Sequence, residues 1–254
     1  MRGFFIGQIM KNIFKLHLDN LARPKELVNL VRNADNATLY IYDIISADWG
    51  ISALSVIDAI AQAGDAKTLT VRISSPGGDV FESRAIMAAI SRFPGKTVAC
   101  IDSLCASAAT SIALSCDEVE MSDGGMFMIH AASCMAWGDK QVMRDTADLL
   151  ETVEGAIVND YVNKTGKPVD EIAAMMEKET WMTATQALEH KFIDRVVDSP
   201  SKAKNTWNLA AYANAPQALL EPDPPEQIEE QQEPAPAGFF MSAANANRLK
   251  LTLI

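Results

Sequence analysis

The sequence predicts an α/β fold, and three observations carry that expectation. Runs rich in β-branched and aromatic residues alternate with stretches whose apolar residues recur at helical spacing. The alternation repeats as strand, helix, strand, helix, strand, helix, which implies a parallel sheet with crossover helices. A chain of 254 residues, 48% hydrophobic and 22% charged, is also long and apolar enough to bury one large core.

Taken in order, residues 39–44 ("LYIYDI") read as a strand, and residues 52–63 place Leu54, Ile57, Ile60 and Ala61 at helical spacing. Residues 67–73 ("KTLTVRI") alternate as a strand, and "SSPGGD" at 74–79 is a turn leading into a helix start. Helix 80–93 carries Ala85, Ile86, Ala89, Ile90 and Phe93 on one face; strand 96–101 and helix 107–115 follow. Short strands are expected at 118–121 and 125–130. Residues 139–163 form a long helix with Val142, Leu149, Val153, Ile157 and Tyr161 along one stripe, and Gly166 and Pro168 stop it. Helices at 169–178 and 183–190 and a strand at 192–197 close the folded part. The expected organisation is an N-terminal segment 1–38, a folded domain 39–198 and a largely disordered tail 199–254. The tail contains "PDPPEQIEEQQEPAP", acidic, Pro-rich and without Lys or Arg, which cannot build a core. The last residues, "RLKLTLI", regain apolar character and read as a short docking element.

The formal net charge of -11, from 33 acidic and 22 basic residues, argues against nucleic acid as a partner, because phosphate binding needs clustered Lys and Arg. The apolar N-terminal residues are interrupted by Gln8, Lys11, Asn12 and Lys15, which does not fit a secretory signal. No run approaches the roughly 20 apolar residues that span a bilayer. The expectation is a cytoplasmic protein with no membrane partner. Cys100, Cys105, Cys116 and Cys134 form no CxxC pair and no His spacing completes a zinc pattern. They read as small hydrophobes in a reducing compartment, and neither a metal nor a cofactor is called for.

Four features carry chemistry. In "SSPGGD", Gly77 and Gly78 allow backbone conformations closed to other residues, between a buried strand and a helix N-terminus. That suits an oxyanion hole or a phosphate site, but equally a plain tight turn; neither GK[ST] nor GxGxxG is present. The stretch "DSLCASAATS" at 102–111 offers several nucleophilic atoms among small residues. Ser107, flanked by Ala106 and Ala108, is the best nucleophile candidate, whereas Ser103, Ser111 and Ser115 read as packing. Of the three histidines, His17, His130 and His190, only His130 ends an apolar strand, where a buried imidazole needs a partner. Beside a serine it makes an acyl-transfer pair. An acid to orient the imidazole is open among Asp139, Asp145, Asp148, Asp170, Glu177 and Glu179.

Together these blocks resemble the Clp protease proteolytic subunit family, serine peptidases with the ClpP/crotonase spiral fold of β-β-α units and a protruding handle helix. Five blocks stand in family order: "ISSPGGDV", "CASAAT", "MFMIHAA", "KTGKPVDEI" and "ETWMTATQALEHKFID". The serine-to-histidine spacing is 130 − 107 = 23 residues. The resemblance implies a nucleophile at Ser107, a base at His130, and oxyanion N–H groups at Gly78 and Ala108. It implies substrate-binding backbone at Gly77 and Val80. It also aligns the family's catalytic Asp with Glu179, a departure by one methylene. The handle would be 139–163, assembling a homo-oligomeric ring, heptameric and often stacked, that acts on protein or peptide substrates.

Further departures include "AASCMAWGDKQ" after the histidine and "ALSVIDAIAQAG" where the family has a helix near the unfoldase docking surface, which leaves an ATPase partner unsupported. "SPGGDVF", "ETWMTA" and the acidic tail are more similar to phage and prophage head maturation proteases, which process capsid or scaffold proteins during prohead assembly. There are two rivals. A crotonase-like acyl-CoA enzyme shares the fold and paired N–H donors without needing a Ser–His pair. A catalytically degenerate assembly subunit would tolerate Glu179.

Overall fold

The computed structural model describes residues 13–23, 28–198 and 207–220. Helix α1 (Ile13–Asp19) precedes a hairpin of β1 (Asn29–Asn33) and β2 (Asn36–Ile41). Then come α2 (Ala53–Ala63), β3 (Thr68–Ser75), α3 (Val80–Ile90), β4 (Lys96–Ala106) and α4 (Ala108–Leu114). Strands β5 (Glu118–Ser122) and β6 (Met126–Ile129) lead to the long α5 (Lys140–Thr165). The elements α6 (Val169–Glu177), β7 (Thr180–Thr183), α7 (Ala184–Glu189) and β8 (Arg195–Val197) follow. The strand order is β1-β2-β3-β4-β5-β8, with β6 paired to β4 and β7. All pairings are parallel except β1 with β2 and β6 with β7.

Strand β4 divides its pairing. Val98 to Ile101 lie beside β5, whereas Leu104, Cys105 and Ala106 lie beside Met126, Phe127 and Met128 of β6. Successive side chains of a strand point to opposite faces. Accordingly Ile101 and Cys105 join the main core with Leu39, Leu69, Val71, Ile73 and the helices, while Leu104, Ala106 and Met128 join a second cluster with Leu16, Ile44 and Trp207.

Several boundaries differ from expectation. β4 runs to Ala106 rather than stopping at 101, because Leu104, Cys105 and Ala106 are buried and complete the ladder although small residues carry little strand propensity. In α4 every residue from Ala108 to Ala113 is buried, so close packing on all sides replaces an amphipathic stripe. The apolar stripe expected along the long helix is buried only near its C-terminal end, at Ile157, Val158 and Tyr161; Val142 and Leu149 are exposed. The last strand shortens to β8, with Phe192 and Ile193 buried in the turn before it. β1 and the start of β2 lie before residue 39, so the sheet begins inside the expected N-terminal segment.

Within the expected, largely disordered tail 199–254, residues 207–220 pack on the rest of the chain. Trp207 and Leu209 are fully buried and pack in the second cluster, and a short 3-10 turn, Gln217–Leu219, folds the segment back on itself. The expected acidic run, the apolar C-terminal residues and the N-terminal stretch through Asn12 lie outside the described residues. Among the described residues, no helix is long and apolar enough to cross a membrane.

Helix ends are closed by side chains the sequence supplies. Asp79 caps α3, accepting from the N–H groups of Phe81 at 2.7 Å and Glu82 at 3.0 Å. Asp139 caps α5 in the same way, and left-handed Gly166 ends it with its N–H 2.8 Å from the Val162 carbonyl. Asp79→Ala should cost about 1 kcal/mol, a fall of about 2–4 °C in melting temperature for a chain of this size. A thermal melt unchanged within error would remove the cap from the account of how α3 starts.

Candidate active site

The junction between β4 and α4 holds a residue in a sparsely populated backbone conformation. Ser107 has φ 55°, a conformation that L-residues rarely adopt and that costs of order 1–3 kcal/mol. Its own backbone bonds hold it there. The Ser107 N–H donates to the Met128 carbonyl at 2.9 Å, and its carbonyl accepts from the Thr110 N–H at 2.9 Å. The Thr110 hydroxyl adds a bond to that carbonyl at 2.6 Å and meets the Tyr161 hydroxyl at 2.7 Å. The sharp turn from strand to helix thus projects the Ser107 side chain out of the sheet.

His130 follows the last residue of β6. Its Nε2 lies 2.8 Å from Ser107 Oγ, a hydrogen bond between residues 23 apart in sequence. The next residue fixes the strand end, with the Ala131 N–H on the Met176 carbonyl of α6 at 3.0 Å. Burial holds the imidazole below its ordinary pKa, and the charge of Glu179 pulls it back up. The neutral ring is therefore favoured, the form in which Nε2 can accept the serine proton.

Glu179 precedes β7, whose antiparallel pairing with β6 sets Thr180 opposite Ile129. The carboxylate is near enough to act on His130 through its charge, but among the described residues it makes no hydrogen bond to the ring. It accepts instead from the N–H groups of Ala213 at 2.8 Å and Asn214 at 2.6 Å, and from the Trp181 indole at 3.2 Å. Of the other carboxylates considered, Asp139 is a helix cap.

The glycine loop packs against the serine turn. Gly77 has φ 90°, and a Cβ there would lie 2.5 Å from the Ala106 carbonyl oxygen, 2.8 Å from Ser107 Cβ and 2.9 Å from the Ala108 nitrogen. Ile45 pairs with the loop, donating to the Gly77 carbonyl at 2.9 Å and accepting from the Asp79 N–H at 2.8 Å. In such parallel pairing the bonds flank Gly78, so its own N–H points to the opposite edge. The Ala108 N–H is the first of α4, one of the donors a helix leaves without an intrahelical acceptor. Val80 opens α3 and packs half-buried on the main core.

Cys105 is fully buried and its thiol pKa is pushed well up by that burial, which suits packing rather than nucleophilic chemistry. Ser103 bonds to Ser74 at 2.7 Å. Thr110, Tyr161 and Tyr212 also contribute to the site. Thr110 and Tyr161 stand at ordinary helical positions, and only the fold brings them to Ser107. Tyr212 comes from a segment with no motif: its hydroxyl donates to the Pro76 carbonyl, and its ring meets His130 edge-on at 5.4 Å and Trp181 at 5.8 Å.

The Clp protease family model matches residues 32–200. A curated relative, "ATP-dependent Clp protease proteolytic subunit 3" of Rhodococcus jostii, is 27% identical over 178 residues, covering 66% of this chain and 81% of the relative. "ATP-dependent Clp protease proteolytic subunit 1" of Protochlamydia amoebophila is 23% identical over 191 residues, 73% of this chain and 93% of that one. Among solved structures, a ClpP1 mutant from Listeria monocytogenes superposes with a TM-score of 0.58 at 18% identity, over 66% of this chain and 94% of that chain. This chain belongs to the Clp protease family, a family of ClpP-type serine proteases, and it shares the mixed α/β fold of that structure.

Thr110→Val keeps the side-chain shape and the backbone bond to Ser107 but removes the hydroxyl's bonds to Ser107 and Tyr161. It should lower stability by about 1–2 kcal/mol, and Thr110→Ser should restore most of it. Equal melting temperatures for all three proteins would show that Thr110 does not pin the turn.

Proposed function

We propose that this chain is a serine endopeptidase in which Ser107 is the nucleophile and His130 the general base. The observation that carries the proposal is the 2.8 Å contact between Ser107 Oγ and His130 Nε2 at a strained strand-to-helix turn. Ser107 Oγ attacks the scissile carbonyl of a peptide while Nε2 takes the hydroxyl proton and later gives it to the leaving amine. The N–H groups of Gly78 and Ala108 receive the oxyanion, and Gly77 and Val80 border the substrate backbone. Glu179 favours the imidazolium that forms during attack, because its charge raises the ring's proton affinity against the effect of burial. Acyl-CoA chemistry on the same framework would have no use for the Ser107–His130 contact.

The substrate is a protein or peptide, and the active form is a homo-oligomeric ring. The first half of α5 supports assembly, since Val142, Met143 and Leu149 are exposed there although the helix is otherwise well capped. A finer assignment, processing of phage scaffold or capsid protein, is supported by "SPGGDVF", "ETWMTA" and the acidic C-terminal run. Co-expression with a scaffold–capsid precursor tests it, with Ser107-dependent cleavage expected and an intact precursor counting against it.

The central experiment measures Ser107 labelling by a fluorophosphonate and hydrolysis of peptide substrates across pH. Ser107→Ala should abolish both. Because the base works as neutral imidazole and burial lowers its pKa, activity should persist below pH of about 6.5 and then fall as the ring protonates. Glu179→Gln removes the charge that opposes burial, so the acid limb should move to lower pH. Turnover should drop by orders of magnitude because the imidazolium loses its stabilising charge. Peptide hydrolysis that survives Ser107→Ala would sink the protease assignment; an unmoved acid limb would release Glu179 from its role.

A further inference from the structure

The segment 207–220 packs against the glycine loop, His130 and Glu179. Tyr212 spans the gap between the two halves of the site, its hydroxyl on the Pro76 carbonyl at the glycine loop and its ring against His130. The next two residues, Ala213 and Asn214, place their N–H groups on the Glu179 carboxylate, and the Asn214 side chain donates to the Lys178 carbonyl at 2.8 Å. The segment is also anchored away from the site. Trp207 is 1% exposed, with the Arg23 guanidinium 3.7 Å from its ring centroid. Asn208 exchanges two bonds with Asn20: its N–H donates to the Asn20 side chain at 2.8 Å, and its carbonyl accepts from that side chain at 2.9 Å. The Leu209 N–H closes the fold-back on the Leu219 carbonyl at 3.2 Å.

We infer that residues 207–220 are a built-in occupant of the substrate cleft, which holds the protease closed by covering Ser107 and His130 and by engaging Glu179. The inference rests on the proposed roles of those three residues and adds a control to them. The occupant is this chain's own segment because it is also held away from Ser107, by two hydrogen bonds between Asn20 and Asn208 and by Arg23 over the Trp207 ring. One carboxylate meets two claims. While Glu179 accepts from Ala213 and Asn214, those donors compete for the charge that His130 needs when it takes a proton. A substrate enters only after Tyr212 withdraws, and withdrawal also frees Glu179. Occupation and deactivation are thus one event, as expected of a two-state element that a competing ligand can shift.

The test uses the full chain as wild type, Tyr212→Ala and Asn20→Ala, with Ser107 labelling by a fluorophosphonate and hydrolysis of a fluorogenic peptide as readouts. Asn20→Ala loosens the anchor without touching the cleft, so it keeps the test open if Tyr212→Ala does not fold. Both variants should label and hydrolyse about tenfold faster or more, the shift expected from losing one or two buried hydrogen bonds. A synthetic peptide of residues 207–220 should slow the variants again. Ser107 labelled at the same rate in all three proteins overturns the occupant while leaving the protease intact. Ser107 unlabelled in all three overturns the protease assignment beneath it. Ser107-dependent cleavage of the wild-type chain within 207–220, seen by intact mass spectrometry, also overturns the inference, because the segment would then be a substrate.

Discussion

The divided pairing of β4 is the constraint on which the rest of the structure depends. An 11-residue strand keeps β5 at its side for its first half and takes β6 for its last three residues. The exchange brings the end of β6 alongside the end of β4, so that the Ser107 N–H reaches the Met128 carbonyl and His130 emerges two residues later, beside the serine. The free edge of β6 then accepts β7 in antiparallel register, which brings Glu179 up to the histidine. Residues separated by tens of positions in sequence are thus positioned by one ladder. The strain at Ser107, of order 1–3 kcal/mol, is opposed by three hydrogen bonds to its own N–H and carbonyl, each contributing about 0.5–1.5 kcal/mol. The turn stays rigid because its neighbours over-determine it.

The same constraint explains the small residues around the turn. Gly77 sits where any Cβ would overlap the Ala106 carbonyl and crowd Ser107. Ala106, Ala108 and Ala109 are buried between the glycine loop, β6 and the helices, and a longer side chain at any of them would push the serine out of reach of His130. Smallness here is a packing requirement that catalysis inherits. Cys105 belongs to it too: fully buried, with its thiol held neutral, it fills space two residues before the serine.

What the sequence made legible follows from where the physical signal was local. Helical spacing marked α2 and α3, and Gly166 with Pro168 marked the end of α5. Ser107 and His130 were readable from residue type and setting, and the family blocks added Glu179. The missed features depend on partners distant in sequence. β7, "TWMT", has no alternation of its own and exists because β6 offers an edge. β1 is almost entirely exposed, so no apolar pattern announces it. The segment 207–220 was merged with the acidic run after it, although residues 207–220 contain Trp207, Leu209 and Tyr212 and no acidic residue. Its signal was an apolar patch in a polar neighbourhood, weaker than the composition of the whole tail.

Glu179 is where these strands of cause meet. It holds φ 51° ahead of β7, so its backbone is fixed by the strand pairing while its side chain reaches two amides 34 and 35 residues further on. Each N–H that donates to a carboxylate stabilises its charge locally and weakens the field it exerts elsewhere. At His130 burial outweighs the pull of this nearby negative charge, and the ring's pKa lies below its ordinary value. Removing the two donors would leave Glu179, among the described residues, with the Trp181 indole as its hydrogen-bond partner. The electrostatics around His130 are therefore set jointly by β6, β7 and the segment 207–220.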